Sequence, residues 1–248
     1  MVSVRYIYHS CFMVETESLL LVFDYWRDDA SGTLHRRLSE THKPVYVFAS
    51  HFHEDHYQPE ILTWKNGLGE PVSLLLSYDI VKRRGVDKSL LKAVLRPGIA
   101  FQDEFLKVMP FRSTDIGVAV AVWLPDGTVV FHAGDLNNWY FPDDPSHLKV
   151  SVKEMEGLFL SVIREVRKKC GRVDYLMFPV DSRLGAEMCR GLSQWLKQVP
   201  TGHVYPMHCW EAESEVAEAL VPLQDLYPGL EMHKREDLAI NLKEMDRD

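Results

Sequence analysis

Three histidines and one aspartate are concentrated in a short segment, residues 50–57, which reads SHFHEDHY. Its core has the form H-x-H-x-D-H, with imidazoles at alternate positions, His51 and His53, and a carboxylate beside an imidazole at Asp55 and His56. Imidazole and carboxylate groups are common protein ligands of zinc and of other first-row metals. Their spacing is sufficient to begin two adjacent sites, so it predicts a metal centre rather than a surface cluster of histidines.

A metal centre of this kind favours hydrolysis. Metal ions lower the pKa of bound water towards 7 and polarise the bond to be cleaved, so that a metal-bound hydroxide forms at neutral pH. Such a hydroxide attacks a carbonyl carbon or a phosphorus without a nucleophilic serine or cysteine. The segment therefore indicates a metal-dependent hydrolase, for which we expect zinc, as one or two ions, ahead of manganese or iron.

The elements around this segment follow from the hydrophobic pattern. The apolar run at residues 45–49 is typical of a buried strand that ends at the histidine segment, and Pro59 suits the first turn of a short helix through Trp64. Further strands are predicted at 2–8, 12–15, 19–23, 72–76, 106–111, 116–124 and 128–132. The first half of the chain is thus expected to open with antiparallel β-structure.

In the second half, helices alternate with strands. Apolar side chains recur with helical spacing over residues 152–170, which predicts an amphipathic helix that ends at Gly171. The remaining predicted elements are strands at 175–180, 203–206 and 238–242 and helices at 185–198 and 211–226. We expect a single domain, 1–248, with two halves that each run from strands to helix.

Three motifs occur in the order that is found in the metallo-β-lactamase superfamily. They are the histidine string, FHAGD at residues 131–135 and YPMH at residues 205–208, and through them the chain resembles this superfamily over essentially its whole length. The opening HSCF at residues 9–12, followed by LVFD at residues 21–24, is similar to the branch of ascorbate-6-phosphate lactonase-like and uncharacterised zinc-dependent hydrolases. The resemblance implies an α/β (α+β) fold, a four-layer αββα sandwich of two mixed β-sheets flanked by helices.

The resemblance also implies a set of metal ligands. His51 and His53 would bind the first metal, whereas Asp55, His56 and His208 would bind the second. The H-x-H head of the motif differs from the H-x-E of the carboxylate-richer di-iron redox variant of this fold. A hydrolytic centre is therefore the expected one.

Further roles come from the same resemblance. Asp135 would bridge the two metals, and either Asp55 or Asp135 would orient the attacking hydroxide, so both are candidate catalytic residues. Asp24, at the end of a strand, would orient the histidine segment without touching metal, unless it is only a turn residue. His132 is a candidate for contact with substrate or with a metal ligand, or else a buried strand histidine bonded to the backbone. Arg183 is a candidate anchor for a phosphate or carboxylate, or else the ion-pair partner of the nearby Asp181.

One ligand of the pattern is missing. The family supplies a third histidine to the first metal between the histidine string and the bridging aspartate, but residues 57–131 contain no histidine. Asp115 could replace it as an oxygen donor, Ser113 could do so weakly, or water could fill the position. Occupancy of the second site alone is an alternative, and so is a metal- or ligand-binding protein with a degenerate first site and no turnover.

The composition limits the classes of partner that we expect the protein to bind. The chain is 46% hydrophobic and 26% charged, as in ordinary globular proteins. Its formal net charge of −8 disfavours nucleic acid and anionic membranes as partners, so we expect a small-molecule substrate and rank a nuclease or phosphodiesterase second. Arg183, as a candidate anchor, favours an anionic substrate. An aromatic loop at residues 136–144 is expected to wall the pocket, or to bury Trp139 and Phe141 against a second subunit in a homo-oligomer.

The sequence also predicts a cellular location. The four cysteines form no C-x-x-C pair, which suits a reducing compartment. The first residues show no export signal, and the longest apolar run, residues 118–124, is far shorter than the roughly 20 residues of a membrane span. We therefore expect a cytoplasmic protein.

Overall fold

Two β-sheets form the centre of the computed structural model, which describes residues 2–141 and 150–233. The first sheet has six strands that lie side by side in chain order: β1 (Ser3–Tyr8), β2 (Cys11–Glu15), β3 (Leu20–Phe23), β4 (Val45–Ala49), β5 (Ser73–Ser77) and β6 (Ala93–Leu95). The second sheet has seven, also in chain order: β7 (Phe101–Gln102), β8 (Lys107–Arg112), β9 (Val118–Trp123), β10 (Val129–His132), β11 (Val173–Pro179), β12 (Thr201–Met207) and β13 (Glu231–Met232).

Both sheets are mixed. In the first sheet β1, β2 and β3 are antiparallel neighbours, and the pairs from β3 to β6 are parallel. In the second sheet the pairs from β7 to β10 are antiparallel, and those from β10 to β13 are parallel. Each sheet thus contains a run of parallel strands, and loops that follow parallel strands emerge at a common edge.

Five α-helices accompany the sheets within the described residues. They are α1 (Thr33–Glu40), α2 (Tyr78–Arg84), α3 (Val152–Cys170), α4 (Arg190–Leu196) and α5 (Glu213–Leu226). Short 3-10 helices lie at Pro59–Thr63, Lys88–Leu90 and Ser182–Glu187. None of the helices in this part of the chain is long and apolar enough to cross a membrane.

Alternation of side chains along the buried strands creates the layers. In β3, Leu20 and Val22 join a hydrophobic cluster with Leu34 of α1 and Ile80 of α2. Leu21, the residue between them, points to the opposite face and joins a larger cluster that contains residues of the second sheet. That larger cluster also includes apolar side chains of α3, α4 and α5. The expected arrangement of two sheets with flanking helices is therefore confirmed.

Several predicted elements have the expected bounds and others differ. The strand at 45–49 and the helix at 152–170 agree with β4 and α3. The helix predicted at 185–198 is instead the 3-10 helix Ser182–Glu187 followed by α4, because Gly185 has φ 53° and ψ −130°, which no α-helix accommodates. The helices α1 and α2 and the short strands β6, β7 and β13 were not predicted. The strand predicted at 238–242 lies outside the described residues.

Candidate metal centre

The candidate site lies where loops from both sheets meet. The residues that form it follow the carboxyl ends of six strands: His9 after β1, Asp24 after β3, residues 51–56 after β4, Asp135 after β10, Asp181 after β11 and His208 after β12. Asp115 lies between β8 and β9. The fold thus brings together the residues that the sequence assigned to two metals. His9 and Asp181, which the sequence did not assign to a metal, lie with them.

One group of potential ligands comprises His9, Asp55, His56 and His208, whose donor atoms all lie within 4.8 Å of one another. The Oδ2 atom of Asp55 is 3.2 Å from Nε2 of His9, 3.4 Å from Nε2 of His56 and 3.5 Å from Nε2 of His208. The Oδ1 atom of Asp135 is 3.1 Å from Nε2 of His56 and 3.6 Å from Nε2 of His208. These atoms surround one point, which we call the second site.

The other group comprises His51, His53, Asp115 and Asp135. Nε2 of His51 lies 2.9 Å from Nδ1 of His53 and 3.5 Å from Oδ2 of Asp135. Oδ2 of Asp115 is 3.9 Å from Nδ1 of His53. We call this the first site. The two oxygens of Asp135 therefore face different sites, and Asp115, the predicted replacement for the third histidine, groups with the donors of the first site.

These distances fit metal ions. Donor atoms about 2.1 Å from one ion, at angles of 90–110°, are separated by about 3.0–3.4 Å from each other, close to the separations in the second site. Among the described residues, four buried donor atoms of this site have no hydrogen-bond partner: Nε2 of His9, His56 and His208, and Oδ1 of Asp135. Burying polar atoms without partners is costly. A bound cation would compensate for that cost, so the donor set fits the group that the fold resemblance implies.

Two buried carboxylates orient the imidazoles. Oδ2 of Asp24 lies 2.7 Å from Nδ1 of His56, and the same aspartate accepts hydrogen bonds from the backbone N–H and the hydroxyl of Ser50. Oδ2 of Asp181 lies 2.8 Å from Nδ1 of His208. When Nδ1 donates to a carboxylate, Nε2 is left as the free donor atom that faces the second site. Asp181 thus belongs to the candidate site by its contact with His208, whereas the sequence reasoning considered it only as a partner of Arg183.

Burial and neighbouring charges shift the pKa values of the ionisable side chains at the site. Although burial opposes it, hydrogen bonds from His208 and Arg183 lower the pKa of Asp181 to about 2. Burial also opposes the charge of His208, but Asp135, Asp181 and Asp55 raise its pKa to about 9. Burial, reinforced by His56, lowers the pKa of His51 to about 4, so this imidazole is neutral at pH 7 and able to bind a cation.

Both candidate catalytic carboxylates stay ionised. Burial works against this, but His208, His56 and His9 hold the pKa of Asp55 well below its ordinary value. The pKa of Asp135 is lowered in the same way, against its burial, by neighbouring imidazoles, of which His56 contributes most. The two carboxylates therefore carry full negative charge at neutral pH, as metal ligands must.

Two glycines fix the start of the histidine segment. A Cβ atom at Gly117, where φ is 74°, would lie 2.1 Å from the backbone oxygen of Ser50 and 2.6 Å from Cβ of His51. A Cβ atom at Gly134, where φ is 50°, would lie 2.7 Å from Cβ of Ser50. Glycine is required at these positions both for its left-handed conformation and for the close approach of the segment. Strands β9 and β10 thereby support the residues that follow β4.

His132 has a structural role. It is buried, its Nε2 lies 2.8 Å from the backbone oxygen of Ser10, and its Nδ1 accepts a hydrogen bond from the backbone N–H of Gly134. Its ring stacks on Phe23 with a centroid distance of 5.2 Å. Both ring nitrogens are thus within hydrogen-bond distance of backbone atoms, which agrees with the alternative of a buried strand histidine bonded to the backbone. Neither nitrogen is available to a ligand.

A cavity of about 340 Å³ opens onto both sites. His53, Asp55, Asp115, Asp135 and His208 line its metal side. Its other wall is formed by Trp139, Phe141, Met155, Arg183 and Trp210. Trp139 and Phe141 of the aromatic loop thus line the pocket, whereas residues 142–144 lie outside the described part of the chain. Trp139 is buried, and its indole N–H donates to the backbone oxygen of Asp135.

Arg183 forms the ion pair with Asp181 that the sequence left open and also lines the cavity. It forms a bidentate ion pair with Asp181, whose side chain is fully buried, while its own side chain is 48% exposed. Its guanidinium lies 4.5 Å from the ring centre of Trp210 and lines the cavity. The cation is therefore held rigidly at the cavity wall but is still accessible to a ligand.

Comparison with known proteins gives the fold. Neither a protein-family profile nor a curated protein sequence matches the chain. Solved structures do: Igni18, a metallo hydrolase from the archaeon Ignicoccus hospitalis, has a TM-score of 0.62 at 14% identity over 94% of both chains. The metallo-β-lactamase fold protein YhfI from Bacillus subtilis has a TM-score of 0.56 at 13% identity over 94% of this chain and 95% of that one. The chain has the metallo-β-lactamase fold.

The same fold hosts other chemistry. CmlA, a diiron β-hydroxylase from Streptomyces venezuelae, has a TM-score of 0.60 at 12% identity, and this chain spans 52% of its length. The metallo-β-lactamase fold thus predicted from three short motifs is confirmed, whereas the resemblance to the lactonase-like branch stays a prediction. Since a fold does not fix a reaction, activity must be argued from the site.

Proposed function

We propose that the protein is a cytoplasmic metal-dependent hydrolase of a small anionic ester, lactone or phosphoester. The observation that carries this proposal is the shared carboxylate, Asp135, whose two oxygens face two clusters of imidazoles at the floor of one cavity. Metal ions held there, with zinc ahead of manganese or iron, would supply Lewis acidity that activates water and polarises the bond to be cleaved. The side chains of the protein would orient the attacking water and bind the anionic substrate.

Asp55 and Asp135 suit the orientation of an attacking water. Both line the cavity, and both stay ionised because neighbouring imidazoles lower their pKa values. A carboxylate in this state accepts a hydrogen bond from water and fixes the direction of attack. Trp139, Phe141 and Met155 add an apolar wall beside these carboxylates, and an apolar surrounding strengthens electrostatic interactions.

Arg183 supports the preference for an anion. It is held against Asp181 and Trp210 and still presents its guanidinium to the cavity. A guanidinium binds phosphate or carboxylate oxygens through paired hydrogen bonds. The cavity volume of about 340 Å³ suits a small molecule rather than a polymer, which together with the net charge of −8 places a nuclease second.

The test combines metal content with a panel of substrates. Protein purified without chelator is analysed for metal per chain and assayed on an aryl phosphomonoester, an aryl phosphodiester, an anionic lactone and a neutral aryl ester. We expect turnover of at least one anionic probe and a loss of at least about 100-fold in Asp135→Asn, because outer ligands alone are worth 10–100-fold. Asp126→Asn, in the exposed turn between β9 and β10, is the matched control.

Each alternative has its own outcome. Metal bound at stoichiometric amounts without turnover of any probe would favour the metal- or ligand-binding protein. Turnover of the phosphodiester that falls steeply with added salt would favour the nuclease, because phosphate contacts of nucleic acids are salt-dependent. Unchanged turnover in Asp135→Asn would rule out the proposed site.

The anion anchor is tested separately with Arg183→Ala. We expect the KM of an anionic substrate to rise about tenfold more than the KM of a neutral one, because only the anion loses a charge-assisted hydrogen bond. The neutral substrate serves as the internal control, since loss of the Asp181 ion pair affects both substrates alike. An equal rise for both substrates would leave Arg183 as a support for Asp181 alone.

A further inference from the structure

His9 reaches the second site through an unusual backbone. It follows β1 with φ 56°, and His208 follows β12 with φ 62°. Residues other than glycine seldom adopt this left-handed conformation, because their Cβ atom approaches the backbone too closely. The two strained residues are joined, because the backbone N–H of His208 donates to the backbone oxygen of His9 at 3.2 Å. Strain of this kind persists where the surrounding structure demands a particular side-chain position.

The result is that two imidazoles from distant strands face each other. The ring centres of His9 and His208 are 4.3 Å apart, and His9 is only 4% exposed. Its Nε2 is one of the buried atoms that have no hydrogen-bond partner among the described residues, as is Nε2 of His208 and of His56. Nε2 of His9 lies 3.2 Å from Oδ2 of Asp55, the separation expected between two ligands of one ion.

We infer that His9 is a ligand of the second site, so that three imidazoles and two carboxylates bind the ion there. The donors would be His9, His56, His208, Asp55 and Asp135. The inference rests on the metal binding that the proposed function requires, but not on hydrolysis. The histidine that the first site lacks is thus present in the protein, and it serves the other ion.

This assignment predicts that the two sites differ in their affinity for a metal ion. The first site has two imidazoles, and its His53 side chain is 42% exposed, whereas the imidazoles of the second site are all nearly buried. More donors in a less hydrated environment bind a cation more tightly. The second site is therefore filled first, and the first site is filled only at higher metal concentration.

The alternative role of His9 is to position Asp55 by a hydrogen bond. NMR with ¹¹³Cd²⁺ as the probe separates the two roles, because scalar coupling between ¹¹³Cd and ¹⁵N of histidine passes only through a direct bond. We expect the first equivalent of ¹¹³Cd²⁺ to split the Nε2 resonances of His9, His56 and His208, and the second to split those of Nε2 of His51 and Nδ1 of His53. Unsplit His9 beside split His56 and His208 would overturn the inference, as would prior splitting of His51 and His53.

Affinity provides an independent measurement. In His9→Ala we expect the first equivalent of Cd²⁺ to bind at least about tenfold more weakly, a loss comparable to that of outer ligands. His42→Ala, which changes an exposed histidine, should bind as the wild type does. His9→Gln retains a hydrogen-bond donor but no imidazole, so full recovery of affinity in this variant would show a positioning role and overturn the inference.

The two proposals fail in distinguishable ways. Wild-type protein that binds no ¹¹³Cd²⁺ would remove both the proposed function and the role of His9. Wild-type protein that binds two equivalents without coupling to His9 would leave the proposed function intact and remove only this inference. Should His9→Ala fail to fold, the coupling experiment on the wild type decides alone.

Discussion

At the scale of single residues, the site is built from carboxylate–imidazole pairs. Asp24 and Asp181 are buried, and each lies within hydrogen-bond distance of Nδ1 of one histidine, His56 or His208. The pairing sets the tautomer and the ring orientation, and it makes Nε2 a better donor. The precision of the second site therefore depends on residues that do not themselves face an ion.

Asp181→Asn should weaken metal binding without unfolding the protein. An amide accepts a hydrogen bond from His208 less strongly than a carboxylate does and leaves Arg183 without its ion-pair partner, so we expect a loss of about 10–100-fold in affinity. Competition with a chromophoric chelator measures the change. Asp174→Asn, on the same strand but away from the site, is the control and should bind metal normally.

From the residue types alone, sequence reasoning identified only the donors of the local string, because residues 51–56 lie within one loop and signal a metal site by themselves. Asp135, His208 and Asp24 were assigned through the family resemblance. His9 and Asp181 follow strands of different sheets and meet only because the two sheets pack together, and nothing next to them in the sequence shows this. Their one usable signal was their position, a histidine and an aspartate directly after predicted strands. Asp115, proposed as a replacement ligand, lies beside His53.

At the scale of elements, close packing of β9 and β10 against the histidine segment fixes the site. Gly117→Ala should destabilise the protein much more than Gly98→Ala, although φ is 74° and 78° at the two positions. Both variants lose about 1 kcal/mol to backbone strain, but only at Gly117 does the new Cβ meet the backbone of Ser50, for which we expect at least about 2 kcal/mol more. Urea denaturation measures both values, and equal losses would contradict the packing argument.

A second element-scale contact joins α1 to β2. Glu15 accepts hydrogen bonds from Arg37 of α1 at 2.8 and 2.5 Å and from Lys43 at 2.6 Å. Although burial alone would raise it, these bonds hold the pKa of Glu15 below its ordinary value. A carboxylate with a lowered pKa in the folded state contributes stability above its unfolded pKa, about 4.3, and loses it as the pH falls further.

Glu15→Gln should therefore show a pH-dependent cost. We expect a loss of about 1–2 kcal/mol in the free energy of unfolding at pH 7, and a difference from the wild type that declines as the pH falls below about 4.3 and disappears below the lowered pKa of the folded state. Denaturation curves between about pH 2 and pH 8 provide the measurement. Glu40→Gln, which alters an exposed carboxylate 3.9 Å from Arg37, should change stability by less than about 0.5 kcal/mol at any of these pH values.

Helices were predicted correctly from the sequence where the repeat of apolar residues was long. The 19 residues of α3 repeat their apolar positions over five turns and carry a capping box between Ser151 and Glu154, so both ends were evident. Helices α1 and α2 are only 8 and 7 residues long and mostly polar, too short for periodicity to show. Such helices are stabilised by docking on the sheet, through residues such as Leu34 and Ile80, rather than by their own sequence.

At the scale of the whole molecule, metal binding is expected to control thermal stability. A ligand at 100 times its Kd adds about 2.7 kcal/mol to folding, which for a chain of this length raises the Tm by roughly 5–10 °C. Calorimetry with and without zinc measures the shift. In Asp135→Asn the shift should largely vanish, because this residue faces both sites; a persistent shift would place the bound ion elsewhere.

The link between His9 and His208 has a consequence for biosynthesis. The two residues come from strands at opposite ends of the described chain, in different sheets, and meet through one backbone hydrogen bond. A ribosome adds about 5–20 residues per second, so the amino-terminal histidine waits many seconds before its partner emerges. A nascent chain has no complete second site during that time. With His9 as a ligand, as proposed above, metal uptake at the second site would be a late event that marks the chains in which both sheets have already assembled.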